Sequence, residues 1–209
     1  MKTKIRNLII LSIFIYNPLS AQHIDINLNV LNFIFSKYEL GIDYGVNTKS
    51  SIGGNINITS KNMTKAGGKN YTEFNFIPTY KYFFSPEKDN DGLYIGAYSR
   101  IRNSSSKENE FLTTENSTVV TQKTDISSFA FGLGALLGYK WVSSNGFNLE
   151  AEFGIGKFIS NSVSYSNKNA EDKSKNLTTD WNENDYLPVL GNSIPIDLRL
   201  GLKIGYRIK

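Results

Sequence analysis

From residue 24 onward the chain alternates large apolar residues with small or charged ones, in blocks of strand length. The final block shows it best: Ile194, Ile196, Leu198, Leu200, Leu202, Ile204, Tyr206 and Ile208 interleave with Asp197, Arg199, Gly201, Lys203, Gly205 and Arg207. A period of two puts one set on each face of a pleated sheet, so one face is apolar and the other charged or bare. Eight such blocks can be counted. Seven reach the roughly 9–11 residues that a tilted strand needs to cross a bilayer, and the third, near 51–60, is borderline. The fold expected is therefore all-β, an eight-stranded antiparallel up-and-down transmembrane β-barrel with its lumen filled by side chains.

Two blocks carry irregularities. In the first, near 24–35, the apolar parity switches from Ile26, Leu28 and Val30 to Leu31, Phe33 and Phe35, which suggests a bulge. In the fourth, Pro78 cannot donate a ladder hydrogen bond and marks a break. The connections alternate in character. Those at 47–50, 85–91 and 142–146 are short; polar segments at 61–70, 103–125 and 160–193 read as long loops. Short turns at one end and long loops at the other are the habit of outer-membrane barrels.

The start of the chain reads as an export signal over 1–21, leaving a barrel domain over 22–209. Lys2, Lys4 and Arg6 precede the apolar run Leu8–Tyr16, and Leu19-Ser20-Ala21 offers a small-residue cleavage site. The whole chain holds 23 Lys and Arg against 19 Asp and Glu, a formal net charge of +4. Loss of the three basic residues of the signal removes most of that excess, so nucleic-acid binding has no electrostatic basis. There is no cysteine, so neither a disulfide nor a lipid-anchoring Cys is available.

Alternation alone does not say which face is outside, since soluble lipocalin-type barrels have the same period with apolar residues within. Three features favour an outward apolar face. The opposite face is rich in glycine, including Gly41, Gly96, Gly134, Gly138 and Gly156, which makes room for long neighbours such as Tyr98 inside a narrow cylinder. Its charges nearly match, as a cramped interior requires. The apolar-face aromatics Tyr44, Tyr82, Phe84, Tyr139, Trp141, Phe147 and Tyr206 align at one end when the strands are threaded up and down, as an interfacial girdle would.

Several stretches carry a family resemblance. They are Pro78-Thr-Tyr80-Lys-Tyr82-Phe-Phe84 with Gly92-Leu-Tyr94-Ile-Gly96, then Phe131-Gly-Leu-Gly134 with Gly138-Tyr-Lys-Trp141, and last Gly201-Leu-Lys-Ile-Gly205-Tyr-Arg. In these the chain resembles the small Bacteroidota-type outer-membrane β-barrel proteins of unknown function. The resemblance implies a bacterial outer-membrane location, with membrane lipid and lipopolysaccharide and the outer-membrane insertion machinery as partners. Such barrels often end in an aromatic residue; this chain ends Ile208-Lys209, with Tyr206 two positions earlier.

Chemistry is sparse. His23, the one histidine, sits beside the expected cleavage site, so histidine-dependent acyl transfer, Cys–His catalysis and multi-histidine metal sites have no basis. Glu150 and Glu152 lie two apart on one face and read as partners for Arg199 or Arg207 rather than as an acid–base pair. Asp180-Trp-Asn182-Glu-Asn184-Asp begins like a calcium loop but lacks the Gly and the Glu that should follow. The expectation is a non-enzymatic protein with no catalytic, cofactor or metal site. It would act structurally or through extracellular loops 103–125 and 160–193, with Phe111, Tyr165, Trp181 and Tyr186 as candidate partner contacts. Alternatives are a soluble lipocalin-like barrel holding a small apolar ligand, or a narrow passive pore.

Overall fold

The computed structural model describes residues 23–34, 36–59, 69–115, 118–169 and 196–208. Eight antiparallel strands form a closed barrel in chain order: β1 (Ile24–Asn29), β2 (Lys37–Asn47), β3 (Ser50–Thr59), β4 (Lys69–Phe83), β5 (Gly92–Glu115), β6 (Thr118–Val142), β7 (Phe147–Tyr165) and β8 (Ile196–Ile208). The expected signal segment 1–21 lies outside the described residues.

Register fixes the dimensions. Starting at Ile24, the partners run through Tyr44, Ile52, Tyr80, Ala97, Ala135, Ile155 and Leu198; continuing the β1–β8 register sets Leu198 level with position 34, so the ring closes ten residues from where it began. With ordinary strand rise and spacing, that stagger tilts the strands by about 40° on a cylinder of roughly 8 Å radius. Such a tube is just wide enough for side chains to fill.

Three irregularities depart from the sequence reading. The parity switch after Val30 is no bulge: β1 stops at Asn29, and Leu31–Ile34 form a single helical turn, α1, with Ser36 at φ 54° leading into β2. The segment 103–125 is not a loop. Strands β5 and β6 run through it, pairing from Gly92↔Lys140 to Glu115↔Thr118, and so project a hairpin past β4, whose pairing with β5 ends at Lys69↔Lys107. Alternating Ser, Thr, Asn and charged residues conceal such a strand, because neither face is apolar. Likewise 160–165 belongs to β7, not to a loop. Pro78 behaves as expected: the β4–β5 register has no pairs between Phe76↔Ile101 and Thr79↔Tyr98.

The two faces sort as their chemistry demands. Leu198, Leu200 and Leu202 point outward and are 41%, 55% and 47% exposed, whereas Arg199 between them and Asp197 and Lys203 on either side are buried. The same holds round the ring, from Ile26 and Ile42 to Phe153 and Ile155. The outer apolar belt is about 30 Å tall at this tilt. The aromatics at the short-turn end fall within a band of about 7 Å, and Trp141 and Phe147 pack edge-on there at 6.5 Å. Aromatics also occupy the opposite rim, contrary to the one-ended reading: Tyr38, Phe74 and Phe129 are all exposed there, with Phe33 packed on Tyr38 at 5.8 Å.

Candidate functional site

The lumen is where the charged residues converge. Alternate residues of each strand point inward, so Asp25 of β1, Glu39 and Asp43 of β2, Lys81 of β4, Arg100 of β5, Lys140 of β6, Glu150 and Glu152 of β7 and Asp197, Arg199, Lys203 and Arg207 of β8 share one channel. Acids and bases are closely matched there, and Glu73 of β4 and Arg102 of β5 join them nearer the upper rim. Pairing them removes the several kcal/mol that each isolated ion would cost in such a place.

The pairs stack along the axis. Near the short-turn end, Asp25 accepts from Lys140 at 2.5 Å and from Arg207 at 2.8 Å. Above it, Lys81 donates to Asp43 and to Glu150, both at 2.8 Å, and Lys203 reaches Glu150 at 3.2 Å and Glu152 at 2.9 Å. Higher still, Arg199 spans Glu152 at 2.6 Å and Glu39 at 2.5 Å. Arg100 meets Asp197 at 3.1 Å, and Arg102 lies over the Phe158 ring at 4.8 Å. Arg199 thus partners Glu152 as the sequence suggests. Arg207 instead takes Asp25, and Glu150 is held by lysines that sequence spacing did not single out.

A small apolar cluster, Ile77, Phe83, Tyr94, Tyr98 and Leu136, fills the space between the ions. The glycines make it possible. A methyl group at Gly138 would meet the Tyr94 ring, and one at Gly134 the Tyr98 ring. Tyr94 donates to Glu150 at 2.7 Å, turning a space-filling ring into part of the ionic column.

The lower mouth is closed by the β4–β5 turn. Asp89 and Asn90 take left-handed φ values of 54° and 49°, and Asp91 accepts the backbone N–H groups of Glu87 and Lys88. Arg207 donates to the carbonyls of Lys88 and Asp89, each at 2.6 Å, clamping the turn across the opening. His23 is buried beside Asp25, with Nε2 3.6 Å from its carboxylate. Burial, and then the Arg207 charge, lower its pKa from 6.5 to about 4.

Of the proposed contact residues, Phe111 lies on β5 opposite Gln122, within the projecting hairpin. Tyr165 ends β7 opposite Ile126 and is half-buried on the inward side. Trp181 and Tyr186 lie outside the described residues. Sequence reasoning missed the hairpin itself, whose one signal is the short β-branched run Thr118-Val-Val-Thr121. Among the described residues no cluster of His, Asp or Glu could hold a metal ion.

The fold and lumen define a class: closed eight-stranded barrels with a paired ionic interior and an apolar outer wall. The chain belongs to the family described as protein of unknown function DUF3575, whose model matches residues 7–187. No curated protein and no solved structure matches it.

Proposed function

We propose that this protein is a non-enzymatic integral barrel of a bacterial outer membrane that presents the β5–β6 hairpin and the segment after β7 to the cell exterior. The observation that carries this reading is the inversion of the two faces. Ionic side chains fill the axis while Leu, Ile and Phe clothe the outside. In water, leaving one such side chain exposed forfeits about 1.5–3 kcal/mol relative to burial, and here a whole belt would be left. In lipid the belt matches the hydrocarbon thickness, and the tyrosines and Trp141 at its lower edge sit where interfacial aromatics belong. A soluble ligand carrier would need the opposite arrangement. The paired column leaves little room for a water passage, which argues against a pore. Its carboxylates are engaged by cations, which argues against acid–base chemistry.

Gel mobility of detergent-extracted protein, with and without boiling, tests the reading. A folded barrel migrates differently before heating, and protease added to intact cells should cut the hairpin while sparing the rest. A protein recovered in the soluble periplasmic fraction, or one whose mobility ignores heating, would refute it. Deleting 108–124 should abolish recognition by any outside partner while preserving heat-dependent mobility.

A further inference from the structure

The projecting hairpin has two open edges, and they are built differently. On the β5 side, pairing with β4 ends at Lys69↔Lys107, and β5 then bulges between Ser106 and Asn109, with Glu108 at φ 52°. Lys107, Glu108 and Glu110 crowd that stretch of the sequence. A bulge and clustered charges are the devices by which a sheet edge refuses another strand. The β6 side has neither. Its register against β5 is unbroken from Asn109↔Thr124 to Glu115↔Thr118, and no charged residue occurs from 116 to 122. The β-branched run Thr118-Val-Val-Thr121 forms this edge, and Val119 is 64% exposed.

Backbone parity sets what the β6 edge offers. Ser166 donates its N–H to the carbonyl of Asp125, so the main-chain groups of Asp125 point away from β5. Those of Lys123, Thr121 and Val119 point the same way. Among the described residues no strand pairs with this side of β6 beyond Asp125. Asn167 stands beside the nearer part, donating its backbone N–H to Thr124 and its side-chain amide to Gln122. Val119 and Thr121 remain, each directing an N–H and a C=O off the edge.

A strand that fits this edge must be extended, uncharged and itself unpaired, and the same segment of a second copy meets all three conditions. In an antiparallel register centred on Val120, Val119 of each copy exchanges both main-chain hydrogen bonds with Thr121 of the other. Val120 then faces Val120, every cross-strand pair is β-branched, and no like charges are opposed. Centring on Thr121 would set Val119 against Lys123 and require the part of the edge that Asn167 occupies. Symmetry fixes where the second copy stands. The dyad relating two antiparallel edge strands is perpendicular to their sheet. The hairpin continues the barrel wall, so that dyad lies in the membrane plane and turns the partner upside down. Val120 stands about 20 Å above the aromatic rim at Phe129, clear of the bilayer. We infer that the Val119–Thr121 edge joins two copies of this chain head to head from facing membranes, continuing one hairpin sheet into the other. One such contact is short and weak; many between two surfaces add by multivalency. The inference rests on the membrane reading above, which sets the hairpin outside.

The test exploits the absence of cysteine from the chain. Val120→Cys and Val119→Cys are made separately in the full chain, folded into single-barrel phosphatidylcholine nanodiscs and mildly oxidised. Across a non-hydrogen-bonded pair the Cα atoms lie about 4.5 Å apart, within disulfide reach. Val120→Cys should therefore give disulfide-linked pairs of discs. Val119→Cys should give about tenfold fewer, because its own counterpart lies diagonally across the junction and out of reach. Adding Thr121→Pro removes an edge N–H that β5 does not use. It should cut the Val120→Cys dimers about tenfold, the scale of one or two neutral hydrogen bonds. Heat-dependent mobility verifies that each variant is folded. Equal cross-linking at both positions, cross-linking indifferent to Thr121→Pro, or no dimers at all would overturn the inference while leaving the membrane barrel standing. So would slow amide exchange at Val119 and Thr121 in isolated discs, since another part of the same chain would then fill the edge. Failure of the wild-type chain to enter discs with heat-dependent mobility would overturn the membrane reading as well.

Discussion

Lys81 on β4 and Glu150 on β7 meet at 2.8 Å across the lumen, although three strand-to-strand steps separate them around the wall. Each is buried and each has a second partner, Asp43 for the lysine and Lys203 for the glutamate. The pair ties opposite walls together, and the column is shared rather than divided into independent bridges.

Lys81→Met should therefore destabilise the barrel by about 3–5 kcal/mol, because Asp43 and Glu150 lose a common cation in a dry site. The double variant K81M/E150Q should cost less than its single variants summed. Urea unfolding of the protein folded into vesicles measures both, and strict additivity would show that the pair is not coupled.

Gly134→Ala should cost about 1–3 kcal/mol, since the new methyl drives into the Tyr98 ring. Adding Tyr98→Leu should recover part of the loss by vacating that space. A Gly134→Ala barrel as stable as the wild type would mean that Tyr98 does not lie over the glycine.

Leu200→Arg probes the outer wall. This side chain is 55% exposed near the middle of the apolar belt. In a bilayer an arginine there should cost about 2–4 kcal/mol, whereas on a water-facing surface the change would stay within about 0.5 kcal/mol. Folding equilibria in vesicles separate the two cases.

His23 gives a pH signature. Its pKa is about 4 in the folded protein and 6.5 ordinarily, so between those values the unfolded chain binds the proton that the folded chain refuses. Stability should be unaffected by this group above about pH 6.5, and should decline as pH falls toward 4. His23→Asn should flatten that limb of the curve; a pH profile identical in both proteins would show that His23 does not stay neutral in the fold.

Much of this architecture was legible along the chain because a strand writes its two faces directly into a period of two. Leu198, Leu200 and Leu202 against Asp197, Arg199 and Lys203 declare a two-faced strand without reference to any neighbour. The lower aromatic ring was equally readable, since threading alone aligns Tyr44, Tyr82 and Trp141. Where both faces are polar the signal vanishes, which is why the hairpin beyond Ser104 looked like a loop. Where an apolar run continues past a strand end, as in Leu31–Ile34, a helical turn looks like a displaced strand.

The sequence by itself determined the number of strands in the ring, the segregation of charge from hydrocarbon and the glycine clearances beneath the large rings. Only the tertiary structure decided which acid meets which base. The ten-residue stagger sets the height of each strand against those across the lumen, so it brings Glu150 to Lys81 and Lys203, and sends Arg207 to Asp25 and the closing turn. It also decided that one extra residue in β7 turns serines, rather than Val163 and Tyr165, toward the outside. Local periodicity records only which side of its own strand a residue occupies; partners across a barrel depend on closure, a property of all eight strands together.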